Sequence, residues 1–280
     1  MLSLDPQAIS TRALHGHLLG AIGPRPIAFA STCDAEGRAN LSPFSFFNVF
    51  SSNPPTVIFS PARRVRDNTT KDTLSNAHAT GEVVINVVNY ALVEQASLAS
   101  TEYPTGVDEF IKAGLTAIPS EHVRPPRVKE SPVQMECRIK EIIALGDAGG
   151  AGNLIVAEVI WLHIDPAILD EHGQIDPHRI DLVGRMGGAW YARAAGDALF
   201  EVEKPATQSI GIDALPDHIK NSQILTGNDL ARLANRDQLP TAEELAAVDL
   251  TITPRDHVQA QAYLRAGHLL AAWKVLLTEA

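Results

Sequence analysis

Residues 39–60 read ANLSPFSFFNVFSSNPPTVIFS, and this stretch decides how the surrounding sequence is interpreted. Pro43 and several small hydroxyl residues lie among phenylalanines, so the stretch lacks the strict alternation of an ordinary amphipathic strand. Within a sheet, proline is confined to edge strands, strand starts and bulges. Hydroxyl groups and the amide of Asn48 among aromatic rings also suit a flat ligand with a polar rim. The stretch is therefore either a bulged barrel strand or part of a ligand site.

The sequence on either side of this stretch predicts strands joined by short turns. Residues 25–32 form a strand candidate, and residues 34–38 are typical of a hairpin turn in which Gly37 adopts positive φ. The return strand leads into the stretch, and another strand follows at residues 56–60. Because no helical crossover separates these strands, we expect an antiparallel sheet.

The sequence beyond residue 60 predicts further strands and helices. A helix over residues 71–79 should end at Gly81, with Thr69 or Thr70 as its N-cap. Residues 101–114 show no regular pattern. The other predicted elements are helices over 6–19 and 90–100 and strands over 82–89, 133–145 and 153–164.

The last two of these strands are joined by a glycine-rich loop at residues 146–152. Such a loop binds a dinucleotide when it connects a strand to a helix, but here it connects two strands, so we interpret it as structural. The first strand alternates in character: its apolar face carries Val133, Met135, Cys137 and Ile139, and its polar face carries Gln134, Glu136, Arg138 and Lys140.

The character of the sequence changes after Pro205, where helical patterns replace strand patterns. Helices are predicted over residues 214–220, 226–235, 241–248 and 255–278. We therefore predict two domains, residues 1–204 and a helical extension over residues 205–280.

Composition excludes several classes of protein. The chain has 280 residues, enough for a full hydrophobic core and one or two domains. A formal net charge of −10 argues against a broad nucleic-acid surface. No apolar run approaches the length of a membrane span, and the first residues do not resemble a signal peptide. We expect a soluble cytoplasmic protein that binds neither nucleic acid nor membrane.

The cysteines and histidines predict neither a disulfide framework nor a metal site. Cys33 and Cys137 fit no metal-binding spacing, and so few cysteines are typical of a reducing cytoplasm. His163, His172 and His178 have aspartates nearby but match no standard metal motif. We therefore predict that the protein holds no metal.

Two segments are candidates for ligand contacts. The first carries Arg63, Arg64, Arg66 and Lys71 just before a predicted helix, whose free N–H groups and dipole favour an anion. It is either a phosphate site or a solvated loop.

The second candidate segment, residues 181–193, combines three glycines with Arg185, Trp190 and Tyr191. Glycines beside a cation and aromatic rings suit the close approach of a ligand or a partner chain. The alternative is a tight loop that packs its aromatic residues into the core.

Six motifs occur in an order found in a known family. They are Arg25-Pro-Ile-Ala, Asn40-Leu-Ser-Pro-Phe-Ser-Phe-Phe-Asn, Asn53-Pro-Pro, Lys71-Asp-Thr-Leu-x-Asn, Glu82-Val-Val-Ile-Asn and Gly184-Arg-Met-Gly-Gly-x-x-Tyr. Residues 12–193 thereby resemble the flavin reductase-like FMN-binding proteins of the flavoredoxin type. The resemblance implies a mainly β fold with helices (α+β), an FMN-binding split β-barrel, and a homodimer with FMN near the subunit interface. Residues 205–280 lie outside the minimal family pattern.

The resemblance also implies which residues contact FMN. Around the isoalloxazine ring and ribityl chain it places Ser42, Pro43, Phe44, Ser45, Phe47 and Asn48. Around the phosphate it places Ser60, Arg66, Lys71, Asp72 and Thr73. Arg185 and Tyr191 are also implied as cofactor-binding residues, at the site of their own subunit or at that of the partner subunit.

The activity implied is that of an NAD(P)H:flavin oxidoreductase. NADH or NADPH would act as a transient donor and pass hydride to N5 of the flavin, so no catalytic side chain is required. Reduced FMN would then serve a monooxygenase or another electron acceptor. The alternative is a non-catalytic FMN carrier or electron-transfer protein with bound flavin.

Overall fold

The computed structural model describes residues 1–279, and the chain divides into two compact units, Met1–Phe200 and Glu201–Ala280. We call them the N-terminal unit and the C-terminal unit. The division falls four residues before the domain boundary that the sequence predicts after Lys204.

The N-terminal unit is built on an antiparallel sheet. Its strands are β1 (Ala28–Cys33), β2 (Ala39–Phe44), β3 (Phe47–Ser52), β4 (Pro55–Phe59), β5 (Glu82–Val87), β6 (Ala117–Ile118), β7 (Arg127–Val128), β8 (Val133–Ala144), β9 (Asn153–Ile164), β10 (Val183–Arg185) and β11 (Tyr191–Arg193). Seven of them form one sheet in the order β2-β1-β5-β8-β9-β4-β3, and every neighbouring pair is antiparallel. The predicted antiparallel α+β fold is confirmed.

Residues 39–60 supply both edges of this sheet. Pro43 lies on β2, which pairs only with β1, so the missing N–H of proline interrupts no ladder on the open side. At the opposite edge, β3 carries a bulge between Val49 and Ser51. The proline and the bulge of this stretch thus lie on two different edge strands.

Five helices accompany the sheet: α1 (Thr11–Ala21), α2 (Asp72–Thr80), α3 (Val93–Leu98), α4 (Glu109–Ala113) and α5 (Pro177–Ile180). Gly81 ends α2 with a φ of 69°, as predicted. Residues 101–114, a looser region with no regular sequence pattern, contain the short helix α4. The Asp108 side chain accepts a hydrogen bond from the Phe110 N–H, and Gly114 ends the helix.

Strand β1 is buried on both faces, and this places it at the centre of the unit. Phe29 packs with Leu41 and Phe110 on one face. Ala28 and Ala30 face the other cluster, which contains Phe59. Helix α4 also reaches the open edge of β2, where a Glu109 carboxylate oxygen accepts a hydrogen bond of 3.0 Å from the Leu41 N–H.

The polar face predicted for β8 is only partly exposed. Gln134 and Glu136 are buried, with Glu136 0% exposed, whereas Arg138 and Lys140 are exposed. Glu136 accepts hydrogen bonds from the backbone N–H groups of Glu121 (2.9 Å) and His122 (2.6 Å). A chain segment between β6 and β8 therefore covers this part of the strand and satisfies its carboxylate.

The C-terminal unit contains α6 (Asp217–Lys220), α7 (Gly227–Ala234), α8 (Ala242–Ala246), α9 (His257–Arg265) and α10 (Leu269–Leu277) around a core that includes fully buried Trp273. The single helix predicted over residues 255–278 is wrong. The chain breaks between α9 and α10 at Gly267, whose φ of 81° is incompatible with a continuous helix.

Within residues 1–279, no helix is both long enough and apolar enough to cross a membrane. The same residues contain no group of three or more histidine, cysteine, aspartate or glutamate side chains arranged to hold a metal ion.

Candidate functional site

A cleft of about 170 Å³ in the N-terminal unit brings together residues that lie far apart in the sequence. Five of them are residues that the resemblance assigns to the cofactor: Pro43, Phe44, Ser45, Arg185 and Tyr191. The end of β2 thus faces the β10–β11 hairpin across this cleft. The arrangement combines aromatic surface, hydroxyl groups and a cation.

The third wall of the cleft comes from α3 and from Ser100, two residues beyond its end. It consists of Val93, Ala96, Ser97 and Ser100, which the sequence interpretation did not include. Their spacing of i, i+3, i+4 and i+7 places them on one face of a helix. This periodicity was the available signal, but it does not show what the face contacts.

The β10–β11 hairpin is held close to the segment before β1. A Cβ atom at Gly184 would lie 2.5 Å from the Cβ of Pro24, so this glycine permits a close backbone approach. Across the hairpin the Arg185 guanidinium lies 4.6 Å from the centre of the Tyr191 ring. Trp190 is 78% exposed, so the hairpin does not bury its aromatic residues in the core.

Arg25 fastens this hairpin to the end of α1. Its guanidinium is buried and donates hydrogen bonds to the carbonyl oxygens of Leu19 (2.7 Å) and Met186 (2.9 Å). Burial and the nearby charge of Arg185 lower the pKa of Arg25. The sequence singled out Arg25 only as part of a motif, and the structure assigns it a positioning role.

Lys71 is the most distinctive cation near the cleft. Its Nζ donates a hydrogen bond of 3.1 Å to Ser42 Oγ and lies 5.0 Å from the centre of the Phe44 ring. Among residues 1–279, no carboxylate oxygen lies within 4.0 Å of this amine. Burial and the positive charge of Arg64 lower the pKa of Lys71. A cation in this position is stabilised by a bound anion.

Helix α2 begins beside Lys71 without a side-chain cap. Its N-cap residue is Lys71, so the prediction of Thr69 or Thr70 is wrong. The Thr69 hydroxyl instead donates a hydrogen bond to Asp67 (2.6 Å) and accepts one from Arg64 (2.8 Å). The first N–H groups of α2 therefore have no side-chain acceptor within the described chain, which favours an anion at this end.

The two residues after Lys71 occupy different environments. Thr73 is fully buried, and its hydroxyl accepts a hydrogen bond of 3.0 Å from the Asn40 amide. Asp72 accepts one of 3.3 Å from the Thr105 hydroxyl. Arg66, further upstream, is largely exposed and pairs with Asp67 and Glu102.

Ser60 has a buried hydroxyl oxygen with no hydrogen-bond partner in residues 1–279. A buried polar group without a partner is costly, and a hydrogen bond between this hydroxyl and a ligand atom would remove that cost. A Cβ atom at Gly152 would lie 2.7 Å from this oxygen. Gly152 thus leaves the space that the Ser60 side chain occupies.

The glycine-rich loop between β8 and β9 packs on the cation-rich loop. The Arg63 N–H donates to the Ala151 carbonyl (2.8 Å), and the Gly150 N–H donates to the Arg63 carbonyl (3.0 Å). Asn153 Nδ2 also donates to the Pro61 carbonyl (3.0 Å). The loop therefore supports residues 60–68, which is the structural role that its position between two strands indicates.

The remaining residues implied by the resemblance lie outside the lining of the cleft. Ser42 is buried and contacts Lys71. Phe47 packs partly buried against the core cluster around Phe59. Asn48 is exposed, and its side chain accepts a hydrogen bond of 2.8 Å from the Val49 N–H.

Comparison with known proteins shows to which family the chain is similar. The family described as "Flavin reductase like domain" matches residues 21–178. An uncharacterised protein of Aquifex aeolicus strain VF5 is 36% identical over 189 residues, which are 68% of this chain and 94% of the relative.

Two solved structures extend the comparison to the fold. Nitrilotriacetate monooxygenase component B from Bacillus cereus is 31% identical, with a TM-score of 0.67 and coverage of 72% of this chain and 98% of that chain. A split barrel domain protein from Shewanella frigidimarina NCIMB 400 is 26% identical, with a TM-score of 0.61 and coverage of 73% and 100%.

The chain belongs to the flavin reductase-like family. Its N-terminal unit has the split-barrel fold that the resemblance implies, and that prediction is confirmed. The class is that of flavin-related oxidoreductases. The family match ends at residue 178, so Glu201–Ala280 lies outside it.

Proposed function

We propose that the protein is an FMN-binding NAD(P)H:flavin reductase. The observation that carries the proposal is the Lys71 amine, which has no carboxylate partner among residues 1–279 and contacts the Phe44 ring that lines the cleft. An unpaired cation beside an aromatic cleft suits a ligand with a flat ring and an anionic tail.

The residues at the anionic end fit a flavin phosphate. Lys71 supplies an ammonium group, and Ser60 supplies a buried hydroxyl without a partner. The N–H groups at the start of α2 lack a side-chain acceptor. These donors would hold the phosphate. The Thr73 hydroxyl accepts a hydrogen bond from the Asn40 amide and keeps Asn40 in place.

The residues that line the cleft fit the ring of the flavin. FMN supplies hydride acceptance from NADH or NADPH and onward electron transfer when it is bound. Pro43 and Tyr191 would form the apolar walls against the ring, and Ser45 and Ser97 would offer hydroxyl groups to its polar rim. Hydroxyl donors of this kind stabilise negative charge that develops on a ligand. Because the flavin itself accepts the hydride, no side-chain acid or base is required.

A homodimer is part of the proposal. Helix α1 has no buried residue although it carries Leu14, Leu18 and Leu19, and Leu18 is 49% exposed. On the edge strand β3, Val49 and Phe50 are 65% and 63% exposed. Exposed apolar surface of this kind is typical of an interface with another chain.

An oxygenase is the electron acceptor that we propose. The relative from Bacillus cereus is a component of a nitrilotriacetate monooxygenase. By analogy, this chain would deliver reduced flavin to a separate monooxygenase, whose substrate is a property of that partner and not of the cleft described above.

The test of the proposed function is a visible spectrum of the protein with FMN, followed by anaerobic titration with NADH and NADPH. We expect a bound-flavin spectrum that bleaches with one donor or both. Bound FMN that neither donor reduces would support an electron carrier instead. A protein that takes up no FMN would contradict the assignment of the cofactor.

Substitution of Gly152 by alanine is expected to weaken FMN binding about tenfold, because the added Cβ displaces the Ser60 hydroxyl from its position near the phosphate. Riboflavin, which lacks the phosphate, should lose much less affinity. Flavin fluorescence titration measures both dissociation constants.

The matched control for this substitution is Gly227→Ala in α7, where an added Cβ meets no atom within 4 Å. Equal losses of FMN and riboflavin affinity in Gly152→Ala would show that Ser60 does not act on the phosphate.

A further inference from the structure

Glu102 pairs with the cation-rich loop that precedes Lys71, the residue to which the proposed function assigns the phosphate. Its carboxylate oxygens lie 3.3 Å from Arg64 Nε and 3.1 Å from Arg66 Nη2. The Arg66 hydrogen bond and charge outweigh desolvation and lower the pKa of Glu102, so the side chain is ionised at neutral pH. The protein thus places an anion of its own on two cations of the loop that precedes Lys71.

The segment that carries Glu102 is tied down beside α2 at a second point. The Thr105 hydroxyl donates a hydrogen bond of 3.3 Å to Asp72, the first residue of α2. Glu102 and Thr105 therefore attach the same short segment, residues 101–105, to the cationic loop and to the helix start. This segment lies next to the end of α2 at which the phosphate would bind.

The two arginines differ in how firmly they are held. Arg64 also donates hydrogen bonds to Thr69 Oγ1 (2.8 Å) and to the Thr70 carbonyl (2.9 Å), so its position does not depend on Glu102. Arg66 is 72% exposed, and Glu102 itself is 52% exposed. An ion pair that is this exposed is weak and can be exchanged for another anion.

We infer that Glu102 is a resident counter-ion that a flavin phosphate must displace from Arg64 and Arg66, and that it sets the selectivity between phosphorylated and unphosphorylated flavins. The inference rests on the proposed FMN site. A neutral flavin such as riboflavin does not compete with the carboxylate, whereas FMN must exchange with it. Glu102 is therefore a specificity-determining residue and not a catalytic one.

The substitution Glu102→Gln keeps the shape of the side chain and removes its charge. We expect FMN affinity to rise about threefold to tenfold, because the phosphate then meets arginines that are freed from Glu102 and is no longer repelled by its carboxylate. Riboflavin affinity should stay unchanged. Fluorescence titration of the wild-type protein and the variant with both flavins measures the four dissociation constants.

The matched control is Glu36→Gln, which removes another exposed carboxylate paired with an arginine, Arg38, at 3.1 Å. It should change neither affinity. Weaker FMN binding in Glu102→Gln would overturn the inference, because Glu102 would then orient the arginines for the phosphate. Equal tightening of FMN and riboflavin would overturn it as well.

If the proposed function is wrong, the titrations give a different result from those that would overturn the inference about Glu102. A wild-type protein that binds neither flavin refutes the FMN site itself. The counter-ion is then tested with inorganic phosphate, whose stabilisation of the protein, measured as the rise in Tm, should be larger in Glu102→Gln than in the wild type. An equal or smaller rise in Tm overturns the inference.

Discussion

Replacement of Lys71 by alanine is expected to weaken FMN binding about 10-fold to 100-fold, the range for loss of one charge-assisted hydrogen bond. The Lys71 amine has Ser42 as its hydrogen-bond acceptor and has no carboxylate within 4.0 Å in residues 1–279. Its charge is therefore available to a phosphate. Riboflavin affinity should fall less than about threefold, because riboflavin has no phosphate to lose.

Fluorescence titration with the two flavins measures this difference. The matched control is Lys129→Ala, which removes an exposed lysine that lies outside the cleft. If Lys71→Ala binds FMN as tightly as the wild type does, the phosphate does not lie at Lys71. If both flavins lose affinity equally, Lys71 acts on the ring or on the stability of the fold.

Replacement of Glu136 by alanine is expected to destabilise the N-terminal unit by about 3–5 kcal/mol, the range for removing one partner of a buried charged network. The carboxylate is 0% exposed and also lies 2.8 Å from His163 Nε2. Its loss leaves the N–H groups of Glu121 and His122 without an acceptor. Urea denaturation followed by circular dichroism and tryptophan fluorescence measures the change.

The control for this prediction is Glu171→Ala, because the Glu171 side chain is 87% exposed and should contribute little. A change of less than about 1 kcal/mol in Glu136→Ala would contradict the buried network.

The same network predicts a dependence of stability on pH. Burial raises the pKa of Glu136, but hydrogen bonds from the Glu121 N–H, His163 and the His122 N–H outweigh it and bring the pKa below its ordinary value of 4.5. The stabilisation is therefore present above pH 4.5 and is lost as the pH falls through the lower, folded-state pKa. In Glu136→Gln, the free energy of unfolding should fall less steeply over that acidic range.

Local signals in the sequence predicted the parts of the fold that depend on single residues. Gly37 and Gly81 adopt the positive φ expected of a hairpin turn and a helix end, and Pro43 lies on an edge strand. These features follow from the conformational limits of glycine and proline, which act within a few residues. They can therefore be predicted without any knowledge of the tertiary structure.

Features that depend on distant segments were not predictable in this way. The burial of Glu136 depends on the segment that folds over β8, and a period of two shows only which side chains share a face. For the same reason the α3 wall of the cleft was not predicted, although Ser97 and Ser100 line the same cleft as the end of β2. The sequence itself made Arg185 and Tyr191 candidates for ligand contact, but no local pattern relates them to Ser45, and only the resemblance assigned all three to one cofactor.

The two edge strands of the sheet affect whether the protein aggregates at high concentration. A strand from another molecule can extend a sheet only where outward-facing N–H and C=O groups are free. On β2, the Leu41 N–H is already bonded to Glu109 and Pro43 has no N–H, while the bulge in β3 distorts the opposite edge. The β2 border therefore resists intermolecular strand addition, the first step of β-aggregation, whereas the β3 border, with Val49 and Phe50 exposed, stays open to another chain.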